Sequence, residues 1–254
     1  MKKKLNIVAI SYLNTVPFLY GLRKDKTLMN RLNLSLEYPS ICADLLISGQ
    51  ADIGLIPVVE ISKLDNHKIL GDFCIGAKGK VRTVMLYSFC PLDEIKTVAL
   101  DYQSRTSVML TKVLFGKFWN LNVGFEDTSD GYINRISGSL AGVVIGDRAF
   151  DYKHRFPFSY DLSEVWYNFT GLPFVFACWV TRIPLDPVFE VRFCNALALG
   201  LSKIQDIIKE HRNDSLTVNK LSRYLNRDIS YKFDDKKKEG LALFLSYCQE
   251  MNNN

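Results

Sequence analysis

The chain has 254 residues, 48% hydrophobic and 23% charged, a globular balance with enough apolar material for one large domain or two smaller ones. No apolar run approaches the roughly 18 uninterrupted residues of a membrane-spanning helix. Six cysteines without a C-x-x-C pair, and His67, His154 and His211 far apart, give little basis for a zinc site, and the net charge of +5 lies partly in Lys2–Lys4 and Lys236–Lys238.

No stripe of basic and aromatic residues marks a nucleic-acid surface, whereas a mild positive balance suits a small anionic ligand. The cysteines sit mostly in apolar surroundings, as in "VFACWV" around Cys178, and read as buried free thiols of a reducing compartment.

The chain opens with Met-Lys-Lys-Lys and "LNIVAISYLNTVPFLYGL". A basic start before apolar residues also begins a secretion signal. Here Asn6, Ser11, Asn14, Thr15 and Pro17 interrupt the run and no A-x-A-like site follows. The pattern is read instead as a buried strand at Leu5–Ile10, then a helix over 14–23 with Pro17 in its first turn. A cytoplasmic location follows from that reading. "LSLEYP" predicts a strand, residues 40–49 a helix closing on Gly49, and "ADIGLIPV" a third strand, so the order is β–α–β–α–β with a parallel sheet. "VRTVMLYS" (81–88) and "KTVALD" (96–101) read as strands and 104–118 as a helix. "NVGFED" reads as a strand, "SDGYINRIS" as a helix and "LAGVVIGD" (140–147) as a strand. "PFVFACWVT" (173–181) is a continuous buried strand, and 186–250 has helical spacing.

Two α/β units with a helical tail predict two lobes: 1–88 plus 172–254, and 89–171. "VRTVMLYS" and "PFVFACWV" would cross between them as a hinge. Ligands of such folds bind at the carboxyl ends of the strands, in a cleft between lobes.

Four strand-to-helix turns carry small polar residues: Ser11–Thr15, Pro39–Ser40–Ile41, "DYQSRTSV" and Gly146–Asp147. In the third, Ser104, Thr106 and Ser107 bring hydroxyls to a helix N-terminus, where free N–H groups favour an anion, and Arg105 can add a bidentate contact to a carboxylate. Ser104 is equally an ordinary N-cap, with Arg105 in solvent. Asn14 caps a helix or presents its amide to a ligand. Thr83 is a strand residue or points its hydroxyl into the cleft. Asp147 is a cap, or an acid, base or orienting group. Trp166, Phe174 and Trp179 are read as core. There is no P-loop and no nucleophile elbow.

Five stretches, "ISYLNTVPFLYGL", "SGQADIGLIPVVEI", "LDYQSRTSVMLTKVL", "VVIGDRAF" and "YDLSEVWYNFTGLPFVFACW", occur in this order and spacing. Together, over residues 5 to 182, they resemble the chorismate dehydratases, first enzymes of the futalosine route to menaquinone. The resemblance implies an α/β, periplasmic-binding-protein type II-like fold with a C-terminal helical segment, used as a cytoplasmic lyase. It implies removal of water from chorismate to give 3-[(1-carboxyvinyl)oxy]benzoate, with no metal or organic cofactor. Chorismate is the small-molecule partner, and neither nucleic acid nor a membrane span is involved. Asn14 matches the family's functional asparagine, and "SRTS" (Ser104–Ser107) its substrate-binding turn. Thr83 falls where the family commonly has a serine; the hydroxyl is kept, but the methyl narrows the pocket and restricts the rotamer. Asn14, Thr83 and Asp147 are the expected catalytic residues. Ser40, Ser104, Arg105, Thr106, Ser107 and Gly146 are the expected substrate contacts. The alternative is a solute-binding protein of the same fold that binds a small anion without chemistry.

Overall fold

A computed structural model of the chain describes residues 4–210 and 217–252, so Lys2, Lys3 and His211 lie outside the described residues. In chain order the elements are β1 (Leu5–Ile10), α1 (Val16–Lys24), α2 (Lys26–Met29), β2 (Leu32–Glu37), α3 (Pro39–Ile47), β3 (Ile53–Pro57) and β4 (Lys68–Ala77). Then come β5 (Val84–Ser88), β6 (Thr97–Leu100), α4 (Arg105–Val113), β7 (Gly124–Asp127), β8 (Leu140–Ile145), α5 (Ala149–Tyr152), β9 (Phe158–Asp161) and α6 (Leu162–Thr170). The chain continues through β10 (Phe174–Thr181), α7 (Pro187–Ser202), α8 (Ile204–Glu210), α9 (Val218–Arg223), β11 (Ser230–Lys232) and α10 (Asp235–Asn252). Among the described residues no helix is long and apolar enough to cross a membrane.

The chain divides into two compact units. One runs up to Ile75 and returns over Ala177–Phe233; the other is Gly76–Phe176 with the segment from Asp234. The boundaries fall inside β4 and β10, not at "VRTVMLYS". Residues 76–88, 172–176 and 234–252 thus group with the second unit, where the expected division had them in the first. The physical reason is pairing and packing. β5 hydrogen-bonds to β8 and β9, and Phe244 of α10 stacks edge-on against Trp166 and Phe174.

The first unit is built on a sheet of order β11-β4-β10-β3-β1-β2. β1 is parallel to β2 and β3, as the alternating β and α segments predict, so the carboxyl ends of all three lie at one end of the sheet. β10 runs antiparallel to β3, which makes the sheet mixed. Every residue of β3 and β10 is buried, and this burial on both faces explains their unbroken apolar runs. β4 was not anticipated: its glycines and Asp72 break the alternation on which strand reading depends. α1 and α7 meet glycine to glycine. A Cβ on Gly21 would strike the carbonyl of Ala196, and one on Gly200 the carbonyl of Pro17.

The second unit has a five-stranded sheet of order β7-β6-β8-β5-β9. β6 is parallel to β7 and β8, while β5 is antiparallel to β8 and β9. This arrangement decides the site. The amino end of β5 and the carboxyl ends of β6, β8 and β9 all fall at the same end of the sheet. The expected helix over "SDGYINRIS" is only a 3-10 turn, Tyr132–Arg135, entered through Gly131 at φ +82°. The expected 104–118 helix stops as an α-helix at Val113 and widens into a π turn, Leu114–Trp119, closed by left-handed Asn120. Trp166, Phe174 and Trp179 are core residues, as read.

Candidate functional site

In the first unit the turns after β1 and β2 lie side by side. Ser11 N–H donates to the Glu37 carbonyl (3.0 Å), and the Tyr12 and Tyr38 rings are 6.4 Å apart. Asn14 sits in the 3-10 turn Leu13–Thr15 and is 8% exposed. It caps nothing: Tyr12 precedes that turn and Thr15 precedes α1. Its Oδ1 accepts from Thr15 Oγ1 (3.2 Å), which engages the carbonyl end of the amide and leaves the NH2 end as the donor. Ser40 is the second residue of α3, behind Pro39, and half-buried. The structure therefore brings Asn14 and Ser40 to neighbouring strand ends of one unit.

In the second unit Thr83 stands immediately before β5, 2% exposed, and its carbonyl accepts from Gly146 N–H (2.9 Å). Thr83 and the Gly146–Asp147 turn are thus hydrogen-bonded neighbours. Gly146 has φ +74°, a left-handed conformation that glycine adopts without a steric penalty. Asp147 follows, half-buried, one position ahead of Arg148, the residue that precedes α5.

The turn after β6 supplies the hydroxyls. Ser104 is a true N-cap of α4: its Oγ accepts from Ser107 N–H (3.2 Å) and donates to Ser107 Oγ (3.0 Å). Thr106, 1% exposed, has a buried Oγ1 with no hydrogen-bond partner among the described residues. An unpaired buried hydroxyl costs free energy unless something else satisfies it. It sits in the first turn of a nine-residue helix whose free N–H groups favour an anion. Arg105 is half-buried and not fully in solvent.

Two carboxylates that sequence reading passed over hold these turns. Asp101, 1% exposed at the end of β6, accepts from Gln103 N–H (3.0 Å), Ile145 N–H (2.8 Å), Tyr132 OH (2.9 Å) and Arg148 Nη2 (2.6 Å). It ties the Ser104 turn to the Gly146 turn. The Arg148 guanidinium also lies over the Tyr102 and Tyr132 rings, 5.5 and 5.8 Å from their centroids. Burial, with the Asp101 charge second, pushes the Tyr132 phenol far above its ordinary value, so it stays protonated as a donor. The other carboxylate, Asp161, ends β9 and touches the segment before Thr83. "KTVALD" and "PFSYDL" each place an acid at a strand end, but such acids are too common for sequence to single out these two.

The sequence matches the family described as menaquinone biosynthesis over residues 5–250. A chorismate dehydratase of Thermus thermophilus is 28% identical over 221 residues, covering 79% of this chain and 80% of that one. A chorismate dehydratase of Campylobacter jejuni is 26% identical over 251 residues, covering 96% and 97%. Among solved structures, a Candida albicans gene product that defines a family with the generic periplasmic binding protein fold superposes with a TM-score of 0.66. It is 12% identical and covers 99% of this chain and 95% of its own, a likeness of fold alone.

Proposed function

The chain belongs to the menaquinone biosynthesis family, and on that premise we propose that it is a cytoplasmic chorismate dehydratase, a lyase that converts chorismate to 3-[(1-carboxyvinyl)oxy]benzoate on the futalosine route. The observation that carries the reading is the gathering of Thr83, Gly146–Asp147 and Ser104–Ser107 at one end of one sheet, with the buried Thr106 hydroxyl lacking a partner among the described residues. The match to a chorismate dehydratase of Campylobacter jejuni over nearly the whole of both chains supports it.

Chorismate carries two carboxylates. The N-terminus of α4 and Arg105 would bind one of them, with Ser40 and Gly146 adding contacts. The ring C–H beside the ether oxygen loses its proton to a base. The electron pair spreads through the ring diene to the ring carboxylate. The neighbouring C–O bond then breaks, hydroxide leaves and takes up a proton as water, and the ring becomes aromatic. Asn14 and Thr83 act as preorganised donors to the departing hydroxyl or the developing charge. The substrate's own side-chain carboxylate serves as the base; Asp147 is the protein alternative.

The test is incubation of the purified protein with chorismate, read by ultraviolet spectrum and mass. Loss of the diene absorption with a product lighter by one water is expected. Binding by heat shift without turnover would instead make it a solute-binding protein of this fold. Asn14→Ala is expected to lower kcat by about 100-fold, the scale of one lost transition-state donor; near-normal turnover would remove Asn14 from the mechanism. Asp147→Asn at near wild-type rate leaves the substrate carboxylate as the base.

A further inference from the structure

Thr83 is reached through an unusual piece of backbone. Arg82, directly before it, has φ +65°, the left-handed region that a long side chain rarely occupies. Such a residue persists only when its surroundings over-determine it. What determines it here is Asp161. Its Oδ2 accepts from both Val81 N–H (3.0 Å) and Arg82 N–H (2.7 Å), while its Oδ1 accepts from Ser163 N–H (3.2 Å) and Glu164 N–H (3.3 Å) as the N-cap of α6. One carboxylate, 7% exposed, thus couples a helix start to the two peptides ahead of Thr83. Met85 pairs with Asp161 across β5 and β9, so the contact is anchored by the sheet. On the other side Thr83 O accepts from Gly146 N–H. Left-handed backbone held by a buried charge next to a reacting group is a device for fixing a side chain in direction.

We propose that Asp161 is a positioning residue for the dehydration: by receiving the Val81 and Arg82 amides on one oxygen, it holds the left-handed turn that aims Thr83 at the substrate. The inference rests on the role given to Thr83 above.

The two arms of the carboxylate can be separated. Asp161→Ser keeps a side-chain oxygen able to cap α6 but removes the arm that holds Val81 and Arg82. The enzyme is expected to stay folded, with kcat down about tenfold, KM within twofold of wild type, and faster amide exchange at Val81 and Arg82. The decisive step is the pair with Thr83→Ala. If Asp161 works through Thr83, adding Asp161→Ser to Thr83→Ala lowers kcat by less than a further twofold. Wild-type kcat in Asp161→Ser, or a full tenfold loss repeated in the Thr83→Ala background, overturns the positioning role. Should Asp161→Ser fail to fold, Asp161→Thr, which also keeps only a short cap oxygen, carries the same series. A Thr83→Ala enzyme with normal kcat would remove Thr83 itself and Asp161 with it, while leaving the dehydratase reading intact. Wild-type protein that leaves chorismate unchanged would overturn both.

Discussion

Asp161 is where charge, burial and backbone conformation meet. Burial pushes its carboxyl from the ordinary 3.8 up to about 6, outweighing the amides of Arg82, Val81 and Glu164 that pull the other way. The folded protein therefore holds this proton more tightly than the unfolded chain does. The stability it contributes is full below about pH 4 and is lost as pH rises through about 6. The loss comes to about 3 kcal/mol at 1.36 kcal/mol per pH unit. Asp161→Asn has no such titration. Its urea midpoint should gain on wild type as pH goes from 4 to 6.5, and parallel curves would contradict the sign. Other single residues were easier to anticipate. The turn at Gly146–Asp147 was legible because Gly-Asp closes an apolar strand, and its left-handed φ of +74° comes from the structure. Asn14 was open between cap and ligand donor, and only its placement inside a 3-10 turn removes the cap. Arg82 could not be foreseen, since nothing in "KVRT" asks for a left-handed arginine; the demand comes from a carboxylate 79 positions away in sequence.

At the scale of elements, the α1–α7 crossing is set by two glycines whose backbones touch. Gly200→Ala puts a methyl onto the Pro17 carbonyl, and backbone cannot yield as a flexible side chain would. Overpacking of this kind costs roughly 1–3 kcal/mol, or about 2–10 °C of melting temperature in a chain of this size. Thermal melts of Gly200→Ala should show that loss, and unchanged melting would mean that the two helices slide apart freely. β3 and β10 of the first unit were legible because burial on both faces leaves continuous apolar runs. The short helix read into "SDGYINRIS" was not formed, because Gly131 and the Tyr132 anchor on Asp101 stop it after one turn. Periodicity over so few residues cannot distinguish a turn from a helix.

Across the whole molecule, a net charge of +5 meets a substrate expected to carry two negative charges. Long-range attraction of this kind is screened within about 8 Å at physiological ionic strength, whereas contacts in a dry site are screened much less. Raising salt from 20 to 500 mM, roughly a fivefold shortening of the screening length, should raise KM for chorismate several-fold and leave kcat within twofold. A salt-independent KM would count against substrate capture by this charge.

The parallel core of the first unit, the apolar central strands and the polar strand-end turns follow from the sequence alone, because each is a local pattern of hydrophobic period, glycine and cap residues; β4 and the short β11 inside the segment read as helical do not. The ordered motifs brought the chorismate dehydratase resemblance within reach, because five weak patterns in fixed order are jointly specific. Tertiary structure alone decided that β5 runs antiparallel between β8 and β9. That pairing puts Thr83 beside Gly146 and hands the turn before it to Asp161. Strand direction and partner are settled by contacts distant in sequence, and a buried carboxylate gets its role from the donors that the fold brings to it.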